Sequence, residues 1–83
     1  MLRYQFSPFI AYFRTGQIDD LSALTEYALK ITPNAEEALL WHGWGLFRQG
    51  DNEGALGYFQ QALFENPNYG DAQYAINYLG ANE

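Results

Sequence analysis

Apolar residues recur at three- and four-residue intervals through five stretches of this chain, separated by short polar breaks rich in glycine, proline and asparagine. That spacing predicts amphipathic helices. Ser7-Pro8 reads as an N-cap followed by proline at the first helical position, where its missing N–H costs nothing. A helix is expected over 8–15, ending at Gly16 as a left-handed C-terminal residue. Residues 2–6 are either an extended lead-in or a kinked earlier turn. A second helix is expected over 19–31, with Leu21, Leu24, Ala28 and Ile31 on one face. Its first turn holds Asp19 and Asp20, which suit the positive end of the helix dipole. Thr32-Pro33-Asn34 closes it, because proline cannot continue a helix and turns its predecessor away from helical angles. The third helix, over 35–49, carries Glu36 and Glu37 at its start and Arg48 at its end. Gly50-Asp51 turns the chain into a fourth over 52–65, and after Asn66-Pro67-Asn68 a fifth over 70–79 stops at Gly80.

The punctuation repeats. Pro33 and Pro67 are 34 residues apart, and the same offset pairs Phe13 with Phe47, Arg14 with Arg48, Gly16 with Gly50 and Ala28 with Ala62. Leu29 and Leu63, Asn34 and Asn68, and Ala38 and Ala72 follow suit. Matches concentrated on residues that set backbone geometry mark an internal structural repeat, and 34 is the period of the tetratricopeptide repeat. The unit over 36–69 resembles that family closely. Gly43, Leu46, Gly50, Asp51, Ala55, Phe59, Ala62 and Pro67 stand where its pattern wants a glycine, a large apolar residue, the turn, small residues, an aromatic and the closing proline. Departures are Leu39 in place of an aromatic and His42 in place of leucine.

The unit over 2–35 is degenerate: Gly16, Ala28 and Pro33 match, while Phe9 replaces the close-packing glycine and Leu21 an alanine. Terminal repeats are commonly atypical because they cap a stack. The resemblance implies an all-α, right-handed α-α superhelix forming one domain over 1–83, two helix–turn–helix repeats plus a capping helix. It also implies that small Gly43 and Ala55 let two helices cross closely, and that Ala62 makes room for the next helix.

A second resemblance concerns context. Ser7-Pro8-Phe9-Ile10-Ala11-Tyr12-Phe13 with Thr15-Gly16, Glu36-Glu37-Ala38 and Trp41-His42-Gly43-Trp44 is similar to repeat segments attached to bacterial cysteine peptidases of the C39-like class. It implies an accessory module whose catalytic domain lies outside this sequence.

Size and charge narrow the field. With 83 residues, the core alone gives a few kcal/mol of net stability, but two Trp, seven Tyr and six Phe bury much area per residue. A net charge of −6 argues against nucleic acid and anionic membranes as partners. Cysteine is absent, which removes disulfides, thiol nucleophiles and thiolate metal sites and is compatible with any compartment. No apolar run approaches the roughly 18 residues of a membrane span. Met1-Leu2-Arg3 is not followed by a signal-peptide core. Cytoplasm is the default expectation, and an extracellular site that for a piece of a secreted peptidase.

Catalytic constellations are missing. His42 is the sole histidine, lacks an i, i+4 metal partner, and has no nucleophile motif linking it to Ser7 or Ser22; it is expected to be structural. Asp19/Asp20 and Glu36/Glu37 are helix-start acids, and Gly43 and Gly45 fall mid-helix rather than in a strand–loop–helix phosphate cradle. Neither enzymatic activity, metal nor organic cofactor is expected.

Aromatic residues carry the functional expectation. The resemblance implies a concave face lined by the first helix of each unit. That face takes Ile10, Phe13 and Arg14 (with Phe6), then Leu40, Trp41, Trp44, Phe47 and Arg48, then Asp71, Tyr74, Ala75 and Tyr78. Trp44 is expected to be partly accessible there. The lysine and asparagine of the family's carboxylate clamp are replaced by Leu40 and Trp44, so binding of acidic C-terminal tails by that device is not expected. The expected partner is a protein or peptide whose apolar, aromatic or proline-rich segment fills the groove, with arginine taking a carboxylate or backbone carbonyls. The alternative is an accessory or self-association domain that docks the same face on a parent domain or a second copy.

Overall fold

The computed structural model describes residues 8–81, and the elements found there are α-helices: α1 (Pro8–Arg14), α2 (Ile18–Ile31), α3 (Glu36–Arg48), α4 (Asn52–Glu65) and α5 (Gly70–Ala81). The expectations for residues 2–6, Phe6 and the Ser7 cap lie outside the described residues. Bounds agree with the sequence pattern to within two residues. The largest difference is at α5, which runs through Gly80 to Ala81 instead of stopping before the glycine. One exposed glycine in a final turn costs about 1 kcal/mol of helix propensity and does not by itself end a helix.

Consecutive helices pack on one another, α1 on α2, α2 on α3, α3 on α4 and α4 on α5, and α1 also reaches α3. Connections of three or four residues between packed neighbours make each pair antiparallel.

Backbone geometry repeats with the sequence. Gly16 and Gly50 have φ of +77° and +91°, the left-handed region where a side chain is disfavoured. The N–H of Gln17 donates to Tyr12 O at 2.9 Å and that of Gly16 to Phe13 O at 3.2 Å. Thirty-four residues on, Asp51 donates to Leu46 O at 2.9 Å and Gly50 to Phe47 O at 3.0 Å, the same paired closure of a helix C-terminus. Thr32 and Asn66 likewise end α2 and α4 with nearly equal angles, and their N–H groups donate to Ala28 O and Ala62 O.

Helix α3 is central, and its two glycines face opposite neighbours. A Cβ on Gly43 would lie 2.5 Å from Phe59 Cε1 and 3.2 Å from Ala55 O of α4; one on Gly45 would meet Ser22 and Leu21 of α2. Positions two apart on a helix differ by roughly 200°, so glycine on both sides lets α3 approach α2 and α4 closely. Phe59 fills the space left at Gly43 and is fully buried. The equivalent positions of the first unit carry the sizes exchanged, Phe9 for Gly43 and a fully buried Thr25 for Phe59. Around Phe59 the core gathers Leu39, Leu40, Ala55, Ala62, Tyr69, Ala72, Ala75 and Leu79.

One predicted face needs correction. On α2, Leu21 is buried and Leu24 and Ala28 are half-buried, but Ile31 is 64% exposed. Ten residues at 100° each leave Ile31 roughly 80° from Leu21 around the helix, at the edge of the apolar stripe.

Candidate functional site

Three helices open onto one groove of about 570 Å³. Helix α1 contributes Ile10 and Phe13; α3 contributes Leu40, Trp41, Trp44, Phe47 and Arg48; α5 contributes Asp71, Tyr74 and Tyr78. The volume lies within the usual range for ligand clefts, which are lined mostly by apolar and aromatic side chains with a few polar groups.

Trp44 is the hub. Its ring centroid lies 6.1 Å from Phe13, 5.7 Å from Phe47, 5.0 Å from Phe59 and 5.7 Å from Tyr78, so it touches rings from α1, α3, α4 and α5. Phe13 also meets Trp41 at 5.4 Å, and Phe47 meets Tyr78 edge-on at 5.7 Å. Tilted and edge-to-face pairs are the favoured arrangements of aromatic quadrupoles. The network joins three groove walls into one surface. Trp44 is half-buried, and its contact with Phe59 ties the groove floor to the core.

Two charged side chains line the groove, Arg48 and Asp71. The Arg48 guanidinium lies 5.1 Å from the Phe13 ring centroid, a cation–π contact on the α1–α3 side. Asp71 stands on the α5 side, exposed and without an ion pair among the described residues. The Trp41 indole N–H is buried and has no hydrogen-bond acceptor in reach. An orphaned donor of this kind costs roughly 1–3 kcal/mol.

Sequence reasoning and geometry differ at two residues, Arg14 and Ala75, and Leu40 lies deeper than a wall residue. Arg14, expected on the groove face, is exposed but not in the groove lining. Leu40 reaches the groove as its floor, is 1% exposed and belongs to the core cluster around Phe59. Ala75 belongs wholly to the core. Asp71, expected on the groove face, is part of the lining.

His42 faces away from the groove. Its ring packs edge-on against Tyr58 of α4 at 4.6 Å, and Nδ1 lies 2.8 Å from Thr25 Oγ1 of α2. The Thr25 hydroxyl carries one hydrogen. Directed at Leu21 O, 2.9 Å away, it leaves Oγ1 to accept from Nδ1–H; turned to the ring, it donates to a bare Nδ1. Burial lowers the His42 pKa below its ordinary 6.5, partly opposed by the negative charge of Glu26. Thr25 was not anticipated from the sequence: a lone threonine inside an amphipathic helix carries no signal of a cross-helix partner. Among the described residues no group of three or more His, Asp or Glu side chains could hold a metal ion, and no helix is long and apolar enough to cross a membrane.

Compared with known proteins, the sequence matches no protein-family model and shows no significant similarity to a curated protein.

Proposed function

We propose that the chain is a non-enzymatic protein–protein interaction module of tetratricopeptide type, a short right-handed stack of helical hairpins that binds an apolar or aromatic peptide segment in its concave groove. The observation that carries this reading is the convergence of aromatic side chains from α1, α3 and α5 on one open groove. The recurrence of turn geometry at Gly16 and Gly50 supports the repeat assignment on the backbone, independently of side chains.

A peptide would be held by burial against Trp41, Trp44, Phe47 and Tyr78. At roughly 25 cal/mol per Å² of apolar area, opposed by the entropy of association, so small a groove suits micromolar affinity. Tyr74, 65% exposed, is the lining residue best suited to a test, since its truncation removes little core. A phage-displayed random 12-residue library panned on the full chain is expected to yield peptides that change tryptophan emission on binding. Tyr74→Ala should weaken them about tenfold or more with an unchanged melting temperature, as loss of an aromatic anchor does. Failure to enrich any peptide over the Tyr74→Ala control would refute the reading. Sedimentation of the isolated chain should show a monomer; a dimer disrupted by Tyr74→Ala would identify the occupant as a second copy and refute the peptide assignment.

A further inference from the structure

Resting on the groove reading above, we propose that the groove selects a segment bearing a basic side chain. A lysine or arginine of the partner would seat on the α5 wall, against the Asp71 carboxylate and the ring faces of Tyr74 and Tyr78. A bulky apolar neighbour in the same segment would lie over Trp44 and Phe47.

Asp71, Tyr74 and Tyr78 stand at i, i+3 and i+7 on α5, which places them along one face of that helix. All three line the groove and all three are exposed. The tyrosine rings are stacked, with centroids 6.3 Å apart and planes 27° from parallel. Electron-rich ring faces beside a carboxylate are the chemistry that holds an ammonium or guanidinium group, because quadrupole and charge attract the same ion. Asp71 brings no ion pair of its own among the described residues, so its charge is available to a ligand.

Arg48 accounts for orientation. It lines the same groove from α3, with its guanidinium over the Phe13 ring of α1. A basic side chain therefore gains at the α5 wall and loses at the Arg48 wall, which sets the direction in which a segment lies. The chain's net charge of −6 draws a cationic partner at long range and repels an acidic one.

The test uses the same 12-residue library panned on the full chain and on Asp71→Asn. Wild-type protein is expected to enrich peptides with Lys or Arg beside a bulky apolar residue. For a synthetic peptide from that set, Asp71→Asn should weaken binding roughly three- to fivefold, the scale of an exposed ion pair. Replacing the peptide's basic residue with Gln should make wild type and Asp71→Asn bind equally, the coupling a double-mutant cycle isolates. Enriched peptides without basic residues, or an affinity indifferent to Asp71→Asn, would overturn the charge selectivity. If Tyr74→Ala still weakened those peptides, the groove reading would stand without it. No enrichment over Tyr74→Ala would overturn both.

Discussion

Replacing Gly43 with alanine is a sharp test of the packing that shapes the groove. The added methyl would sit 2.5 Å from Cε1 and 2.8 Å from Cδ1 of Phe59. Carbon atoms in contact settle at about 3.5–4.0 Å, so the overlap is about 1 Å or more. Phe59 is fully buried and itself carries the Trp44 ring at 5.0 Å, which leaves it nowhere to yield. Either α3 and α4 separate or the ring tilts, and overpacking of this sort costs about 2–3 kcal/mol. Alanine recovers about 1 kcal/mol of helix propensity. The net expectation is a loss of about 1–2 kcal/mol, or roughly 5–15 °C in melting temperature for a domain this size. Gly57 supplies the control: it lies inside α4, is exposed, and its added methyl meets nothing within 4 Å. Gly57→Ala should therefore gain about 1 kcal/mol, so the same substitution on adjacent helices takes opposite signs. Thermal melts followed by circular dichroism measure both. Pairing Gly43→Ala with Phe59→Leu should recover part of the loss, since the two sites share one contact. Equal melting temperatures for Gly43→Ala and Gly57→Ala would refute the close crossing of α3 and α4.

Ala62→Leu should overpack α4 where the fully buried Ala62 meets the core shared with Ala72 and Ala75 of α5, and destabilise by roughly 1–3 kcal/mol in chemical denaturation; an unchanged midpoint would mean that this register is wrong. His42 makes stability depend on pH: its folded pKa is depressed, so below 6.5 the unfolded chain takes up a proton that the folded chain resists. The stabilisation is fully present above 6.5 and is lost as pH falls toward the folded value, and His42→Gln should flatten this part of the melting-temperature profile between pH 7.5 and 5.5.

Much of the architecture was legible because local rules act over few residues. Gly16 and Gly50 are glycines since the chain must take positive φ there, and Thr32 and Asn66 precede prolines that cannot continue a helix, so helix ends and the 34-residue offset could be read directly. The face of a single helix was equally readable: Trp41, Trp44, Phe47 and Arg48 share one because they are spaced three and four apart. What no single helix contains is its rotation against its neighbours. That rotation makes Leu40 a buried floor, sends Ala75 into the core and turns Arg14 away. It also pairs His42 with Thr25, seventeen residues away, which helical spacing within α2 or α3 could not disclose. Backbone conformation and apolar faces were determined by the sequence at short range. Which faces close on one another, and so where charge and ring surface meet in the groove, was decided by the packing of α1, α3 and α5 around Trp44, a balance of contact areas that exists only once the helices are assembled.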